Sequence, residues 1–348
     1  MAIRSRCPTR VDFAGGTTDL AAFRNAEGGA VVSASIRQYA YASLERETDT
    51  CCRIASQDLD TYVEARDIRD LEYDGNLDLL KAAVRSLDLS GGMDLVVRCD
   101  APPGSGLGSS ASVGVALLGL LDRLRASEQD GRSHILSRFE LANLACRLEA
   151  DLGIIGGKQD QFAAAVGGIN YMEFLPEDRV LVEPIPLAPA TVCELEKHLL
   201  LCYSGKSRLS GDTNQRMITA YETGVPQVVH ALRTVKRIAR DILSALISGN
   251  LQWFAELLNE EWEARAQLAD GVISPEVLLQ RDAALKAGAL AAKVCGAGGG
   301  GCTLFYCAPN REGDVSRALE ACGGRIIHFA FEMSGLQVWE TPGSREAA

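Results

Sequence analysis

Apolar positions along the chain follow two periods. Met93-Asp94-Leu95-Val96-Val97-Arg98-Cys99 reads as a strand, and Val31 to Glu45, with Ala34, Ile36, Tyr39 and Tyr41, predicts a longer one. Behind the first of these, Val113, Val115, Ala116, Leu117, Leu118, Leu120, Leu121 and Leu124 make a helix that is apolar nearly all round and is therefore buried. Arg138 to Ala150 carries Leu141, Leu144, Ala145 and Leu148 on one helical face. His198 to Tyr203 predicts a strand that starts the second half. Helices follow at Val225 to Ile247, with Val225, Val229, Leu232, Ala239, Ile242 and Leu246 on one stripe, at Leu251 to Leu268, and at Pro275 to Ala287. The last is opened by Ser274 as N-cap and Pro275 at the first helical position. Strands at 302 to 307 and 326 to 333 complete an α+β pattern. Pro184, Pro186 and Pro189 interrupt the periodicity, so the chain is expected to divide there, into residues 1–190 and 191–348.

Composition narrows the class. The 348 residues, 47% hydrophobic and 23% charged, suffice for two domains with a substantial core. No segment approaches the roughly 20 apolar residues of a membrane span, and Met1 to Arg6 leads into a polar stretch, so a cytoplasmic protein with no membrane partner is expected. A net charge of −11 argues against nucleic acid or anionic lipid as the main partner. Any phosphate must then be handled by local cations. The 11 cysteines form no Cys-x-x-Cys pair and mostly sit in apolar runs, where a reduced cysteine is a small hydrophobe; the four histidines lack ligand spacing.

The candidate chemistry lies in glycine-rich segments. Pro102-Pro103-Gly104-Ser105-Gly106-Leu107-Gly108-Ser109-Ser110-Ala111 joins the 93–99 strand to the buried helix. Glycines let backbone approach an anion, and the free N–H groups and dipole of the helix's first turn favour negative charge there. It is not a Walker A loop: Gly157-Lys158 is followed by Gln159, and the required earlier glycine is Leu152. Gly296-Ala297-Gly298-Gly299-Gly300-Gly301 has the letters of a dinucleotide fingerprint but runs into Cys302-Thr303-Leu304-Phe305, a strand pattern where that site needs a helix. So much ordered glycine is costly unless close backbone packing is needed. Two carboxylates, Glu149 and Asp160, stand 11 residues apart across a helix end, a glycine turn and the start of an alanine-rich helix, a spacing that allows both to face one cavity. Glu149 also reads as a solvated helix-end acid, Asp160 as a helix-start residue, and Lys158 as a solvated lysine.

Pro8-Thr9-Arg10-Val11-Asp12-Phe13-Ala14-Gly15-Gly16-Thr17-Thr18-Asp19-Leu20, the 102–111 loop, Gly156-Gly157-Lys158-Gln159-Asp160-Gln161 and Cys295 to Phe305, in this order, resemble the GHMP small-molecule kinases over roughly residues 3 to 335. The resemblance implies an N-terminal ribosomal S5 domain 2-like domain and a C-terminal ferredoxin-like domain, with ATP and Mg²⁺ between them. It places ATP on Pro103, Gly104, Ser105, Gly106, Leu107, Gly108, Ser109, Ser110 and Ala111. Mg²⁺ falls to Ser110 and Glu149, and the catalytic role to Asp160 with Arg10 beside it. Asp19, with Gly15, Gly16 and Thr17, is assigned to the sugar. The third glycine loop would close against the nucleotide loop; Lys293, just upstream, is either structural or phosphate-facing.

Gly15-Gly16-Thr17-Thr18-Asp19 departs from the Gly-Glu-His-Thr-Asp of galactokinases. With Gly28-Gly29-Ala30-Val31-Val32 it looks most like bacterial D-glycero-D-manno-heptose 7-phosphate kinases and their fucokinase-like neighbours, which phosphorylate an anomeric hydroxyl. Where Thr17 stands, the heptose kinases usually show glycine. A phosphorylated substrate needs extra cations, and Lys206 and Arg208 are candidates, a charged surface loop being the other reading. A free-sugar 1-kinase and a catalytically silent sugar sensor are the alternatives; a decarboxylase of the mevalonate branch is disfavoured by the Asp160 segment. Trp253, Phe254 and Trp262 either face the core, which is the expectation, or form the contact of a homodimer.

Overall fold

The computed structural model describes residues 2–128, 134–206 and 210–342. The chain opens with β1 (Ala2–Ala14), the short α1 (Ala21–Glu27) and the 18-residue β2 (Gly29–Arg46). The hairpin β3 (Cys52–Ser56) and β4 (Thr61–Ala65), then α2 (Asp78–Ser86) and β5 (Met93–Cys99), follow. Next come α3 (Ser109–Glu128), α4 (Arg138–Asp151), α5 (Gln159–Val166), β6 (Ile169–Phe174) and β7 (Val180–Pro184). The remainder runs α6 (Pro189–His198), β8 (Leu199–Tyr203), α7 (Ser210–Glu222), α8 (Pro226–Ile247), α9 (Leu251–Arg265) and α10 (Pro275–Ala287). It closes with β9 (Ala289–Val294), β10 (Cys302–Cys307), α11 (Glu312–Ala321), β11 (Arg325–Ile327) and β12 (Gln337–Thr341).

Among the described residues the strands form an eight-stranded and a four-stranded sheet. In the first, order β12-β1-β2-β5-β3-β4, the long β2 pairs with β1 on one edge and divides its other edge between β6, at Gly29 to Ala34, and β5, at Ala40 to Arg46. The second has the order β11-β8-β10-β9 and is antiparallel throughout. Helix α3 is apolar on every side because sheet strands β1 and β2 cover one face while α2, α4 and α5 cover the other. Its Val115, Leu117, Leu118 and Leu121 are fully buried, and its backbone takes hydrogen bonds from the first sheet, Ser5 Oγ to the Ala116 carbonyl at 2.6 Å among them. No helix among the described residues is long and apolar enough to cross a membrane.

The periodic segments form where the pattern places them, Met93–Cys99, Cys302–Cys307 and Pro275–Ala287 to the residue, with Ser274 Oγ accepting from the Val277 N–H as N-cap. Two expectations need correction. The helix over 251–268 ends at Arg265. The strand over 326–333 does not form as one element: β11 stops at Ile327, Phe331 bridges to Ile36, and the Glu332 N–H and carbonyl bond Ser35 and Gly168. The apolar alternation there serves the first sheet, to which the chain returns as β12 against β1. Beside that crossing, Phe254 of α9 is fully buried between Phe13 of β1, 5.2 Å between ring centroids, and Tyr306 of β10, 5.9 Å. Trp262 is also buried, so these aromatics face the core.

Because Phe254 joins strands of both sheets, Phe254→Ala is expected to lower stability by about 3–5 kcal/mol, read as a drop in the urea midpoint. A loss under 1 kcal/mol would show that the two sheets do not depend on this contact.

Candidate active site

Loop 102–108 turns from β5 into α3 with Gly104, Gly106 and Gly108 at positive φ. The first-turn N–H groups of α3 have no acceptor within the helix, and Ser110, exposed on that turn, adds a hydroxyl. Against this loop packs the third glycine segment. The Cys302 N–H donates to the Ser105 carbonyl at 2.7 Å. A Cβ on Gly106 would sit 2.5 Å from the Cys295 carbonyl, and one on Gly301 2.6 Å from the Ser105 carbonyl. Two backbones at this separation leave no room for side chains, and this is why both segments are glycine-rich.

Arg10, on the buried face of β1, connects this loop to the carboxylates. Its Nε and Nη2 donate to Asp160 Oδ1 at 2.8 and 2.5 Å, and its Nη1 to the Gly106 carbonyl at 2.5 Å. Its own N–H bonds the Leu107 carbonyl at 3.0 Å. Burial opposes the Arg10 charge, yet Asp160 and Asp12 outweigh it and raise its pKa. Asp160 lies in the first turn of α5, its carboxyl against Gly108 of the phosphate loop. Glu149, in the last turn of α4, is nine-tenths buried; Gln161 Nε2 donates to its Oε2 at 2.7 Å. Burial, then the charge of Asp160, pushes the Glu149 carboxyl up to about 8. Asp19 is buried as well, its Oδ2 accepting the Gln159 N–H at 2.9 Å at the start of α5, and burial raises its pKa against those N–H bonds.

Behind these groups lies a layer of fully buried charges. The Lys293 ammonium pairs with Asp12 Oδ2, while Asp12 Oδ1 accepts the Gly296 N–H at 3.2 Å. Arg265 donates to Glu261 at 2.7 Å, to the Gly16 carbonyl at 3.0 Å and to the Gly296 carbonyl at 3.0 Å. One arginine thus ties the first glycine segment to the third. Thr17, between them, is held at φ +82°, which a β-branched residue rarely adopts, and its hydroxyl faces Arg265 at 3.4 Å.

Residues 77–168 match the GHMP kinases N terminal domain and residues 242–325 the GHMP kinases C terminal domain. The crystal structure of a D-glycero-D-manno-heptose 1-phosphate kinase from Bacteriodes thetaiotaomicron is 31% identical, with a TM-score of 0.79 over 98% of this chain and 100% of that one. The chain belongs to the GHMP kinases. The D-glycero-alpha-D-manno-heptose 7-phosphate kinase of Campylobacter jejuni is 29% identical over 345 residues, 97% of this chain and 98% of that protein. A mevalonate kinase of Pyrococcus horikoshii is 29% identical over 267 residues, 75% of this chain and 73% of its own.

In this GHMP kinase the fold brings Arg10 and Asp160 onto the 103–111 loop, Asp19 and Glu149 within reach of the Asp160 charge, Gly16 and Thr17 against Arg265, and Gly15 against the Ala30 carbonyl. Glu149 and Lys158 are buried rather than solvated: α4 and α5 pack on each other, Gln161 of α5 bonds Glu149, and the Lys158 ammonium pairs with Asp178 of the β6–β7 turn. Lys206 stands apart: its side chain is 63% exposed beside the third glycine loop, its ammonium paired with Glu276. Arg208 lies outside the described residues. Sequence reasoning missed Asp12, Glu261 and Arg265; for Asp12 the signal was a charge within an apolar run, Val11-Asp12-Phe13, whereas Glu261 and Arg265 lie in a charged helical stretch that gives none.

Lys293→Met leaves Asp12 buried without its cation and is expected to cost about 3–5 kcal/mol in urea unfolding. Burial alone would raise the Asp12 pKa, but Lys293, Arg10 and Arg265 hold it well below the usual carboxylate range. Its contribution is therefore present above that range and is lost as pH falls below about 4. The pH dependence of wild-type stability should be steeper there than that of Lys293→Met.

Proposed function

We propose that this GHMP kinase transfers the γ-phosphoryl group of ATP to the anomeric hydroxyl of D-glycero-D-manno-heptose 7-phosphate, giving the 1,7-bisphosphate. The observation that carries the reaction type is Arg10, which forks onto Asp160 while holding the Gly106 carbonyl of the phosphate loop. Donor loop and acceptor carboxylate are thereby fixed on one guanidinium. The substrate is inferred from the full-length similarity to heptose phosphate kinases.

In this reading the α3 N-terminus and the 103–111 backbone hold the ATP phosphates. Asp160 accepts the hydrogen bond of the acceptor hydroxyl and takes its proton as the new P–O bond forms and the bond from the γ-phosphorus to the departing ADP oxygen breaks, while Arg10 holds the carboxylate in orientation. Asp19 and the Gly15 to Thr17 segment border the sugar. A divalent cation fits the remaining groups: Glu149 is a buried carboxylate with no Lys or Arg against it among the described residues, and Ser110 offers a hard oxygen. Glu149 and Ser110 would hold Mg²⁺, which would supply charge neutralisation at the transferring phosphoryl group. Phosphoryl transfer through a loose transition state asks mainly for this positioning and charge.

Asp160→Asn keeps the size and the fold and should lower kcat by about 10²- to 10⁴-fold with heptose 7-phosphate, ATP and Mg²⁺. Phosphorus NMR of the wild-type product should show a new anomeric phosphate. Turnover of free heptose, fucose or mannose alone would assign a free-sugar 1-kinase, and ATP binding without turnover on any sugar a sensor. Wild-type rates in Asp160→Asn would sink the assignment of Asp160.

A further inference from the structure

Two buried cations stand beside the acceptor end of this site. Arg24, in α1, is 9% exposed; its Nη1 donates to the Asp19 backbone carbonyl at 3.1 Å and its Nη2 to Asp178 Oδ1 at 2.6 Å. Its buried Nε has no partner among the described residues. Lys158, immediately before α5, is 8% exposed, and its Nζ lies 2.9 Å from the same Asp178 oxygen. One carboxylate oxygen thus serves both cations. That carboxylate belongs to a side chain 66% exposed, in the β6–β7 turn, where Glu177 and Asp178 both take left-handed backbone at φ +60° and +59°.

The arrangement is unbalanced in charge and in hydrogen bonds. Two cations taken out of water need more than one monovalent partner. Asp19, also buried, turns its carboxylate to Gln159 instead. Asp178 is therefore a weak partner for two buried cations. A phosphate dianion suits them better: it carries two charges for two cations, and its oxygens match both the planar fork of Arg24 and the point charge of Lys158. The location suits a substrate group as well. Lys158 is two residues from Asp160, and Arg24 holds the backbone of Asp19. Beneath them burial raises the Cys146 thiol, on which the charges of Lys158, Glu149, Asp19 and Arg24 all act.

We infer that Arg24 and Lys158 form an anion subsite that receives the phosphate carried by a sugar phosphate acceptor, and that Asp178 occupies it in the absence of that phosphate. The inference rests on the acceptor being a phosphorylated sugar. On binding, the substrate phosphate displaces the Asp178 carboxylate to solvent, where it is already two-thirds exposed. The unpartnered Nε of Arg24 then gains an acceptor. Discrimination for the phosphorylated sugar comes from this exchange of partners, without any new residue entering the site.

The test is calorimetric titration without nucleotide, comparing heptose 7-phosphate with the same heptose lacking its phosphate. Wild type should prefer the phosphorylated sugar by about 10- to 100-fold. Lys158→Met should reduce that ratio at least about 10-fold, and Arg24→Gln likewise. Asp178→Asn keeps the size of the turn residue and, with its folding checked by urea unfolding because two buried cations lose their carboxylate, should raise it, because the competing carboxylate is gone. No preference in wild type, a preference that survives both cation substitutions, one lost in Lys206→Met instead, or no gain in Asp178→Asn overturns the subsite. A preference that behaves as expected in a protein silent toward ATP overturns the proposed reaction and leaves the subsite standing. Turnover of heptose 7-phosphate with the ratio unmoved in Lys158→Met does the reverse.

Discussion

Arg10 is the residue on which the geometry of the site depends. Its guanidinium is buried, bonded twice to Asp160 and once to the Gly106 carbonyl, and its backbone N–H holds Leu107. Strand β1 therefore positions both the 102–108 glycine loop and the Asp160 carboxylate. A lysine could supply the charge but not the three directed donors that reach two separate segments. The phosphate loop is in turn pressed from its other side by the third glycine segment. Because the contact is backbone against backbone, its spacing is set by the absence of side chains and cannot relax by rotamer changes.

Behind this surface the charges are sorted by depth. The deepest, Asp12 with Lys293 and Glu261 with Arg265, are neutralised by their partners and bind together the first and third glycine segments. Such pairs add little net stability over an apolar filling. They do give fixed directions: the N–H of Gly296 on Asp12 and the carbonyls of Gly16 and Gly296 on Arg265 all depend on them. Nearer the cleft, Asp19 is satisfied by the N–H groups that open α5. Among the described residues Glu149 has only Gln161 as a hydrogen-bond partner, and burial, then the charge of Asp160, raises its pKa. The acids become less well compensated toward the surface where phosphates and a cation would bind.

The same economy of partners runs through the residues around Asp19. Thr17 keeps a left-handed backbone that suits glycine, held there by Arg265 beneath it. On the far side of Asp19, two cations share one exposed carboxylate. There the buried cations outnumber the carboxylate they share. The Arg10–Asp160 pair is made by other residues.

The sequence alone determined what depends on local rules. Periodicity placed β5, β10, α4, α8 and α10, because an amphipathic or buried segment carries its period in its own residues. The Ser274-Pro275 start of α10 was legible for the same reason, as were the four glycine-centred segments that carry the family resemblance. Only the tertiary structure decided the rest. The apolar run 326–333 could not announce that it would leave one sheet for the other, since its pairing partners Ser35 and Ile36 lie some 300 residues away. Lys158 reads as solvated until the fold buries it against Asp178, and Asp178 is an ordinary turn residue until the fold sets it on two buried cations. Lys293 finds Asp12 across 281 residues of chain. Charge pairing is non-local and has no period, so a sequence records which charges exist while the fold determines which are buried and with what partner.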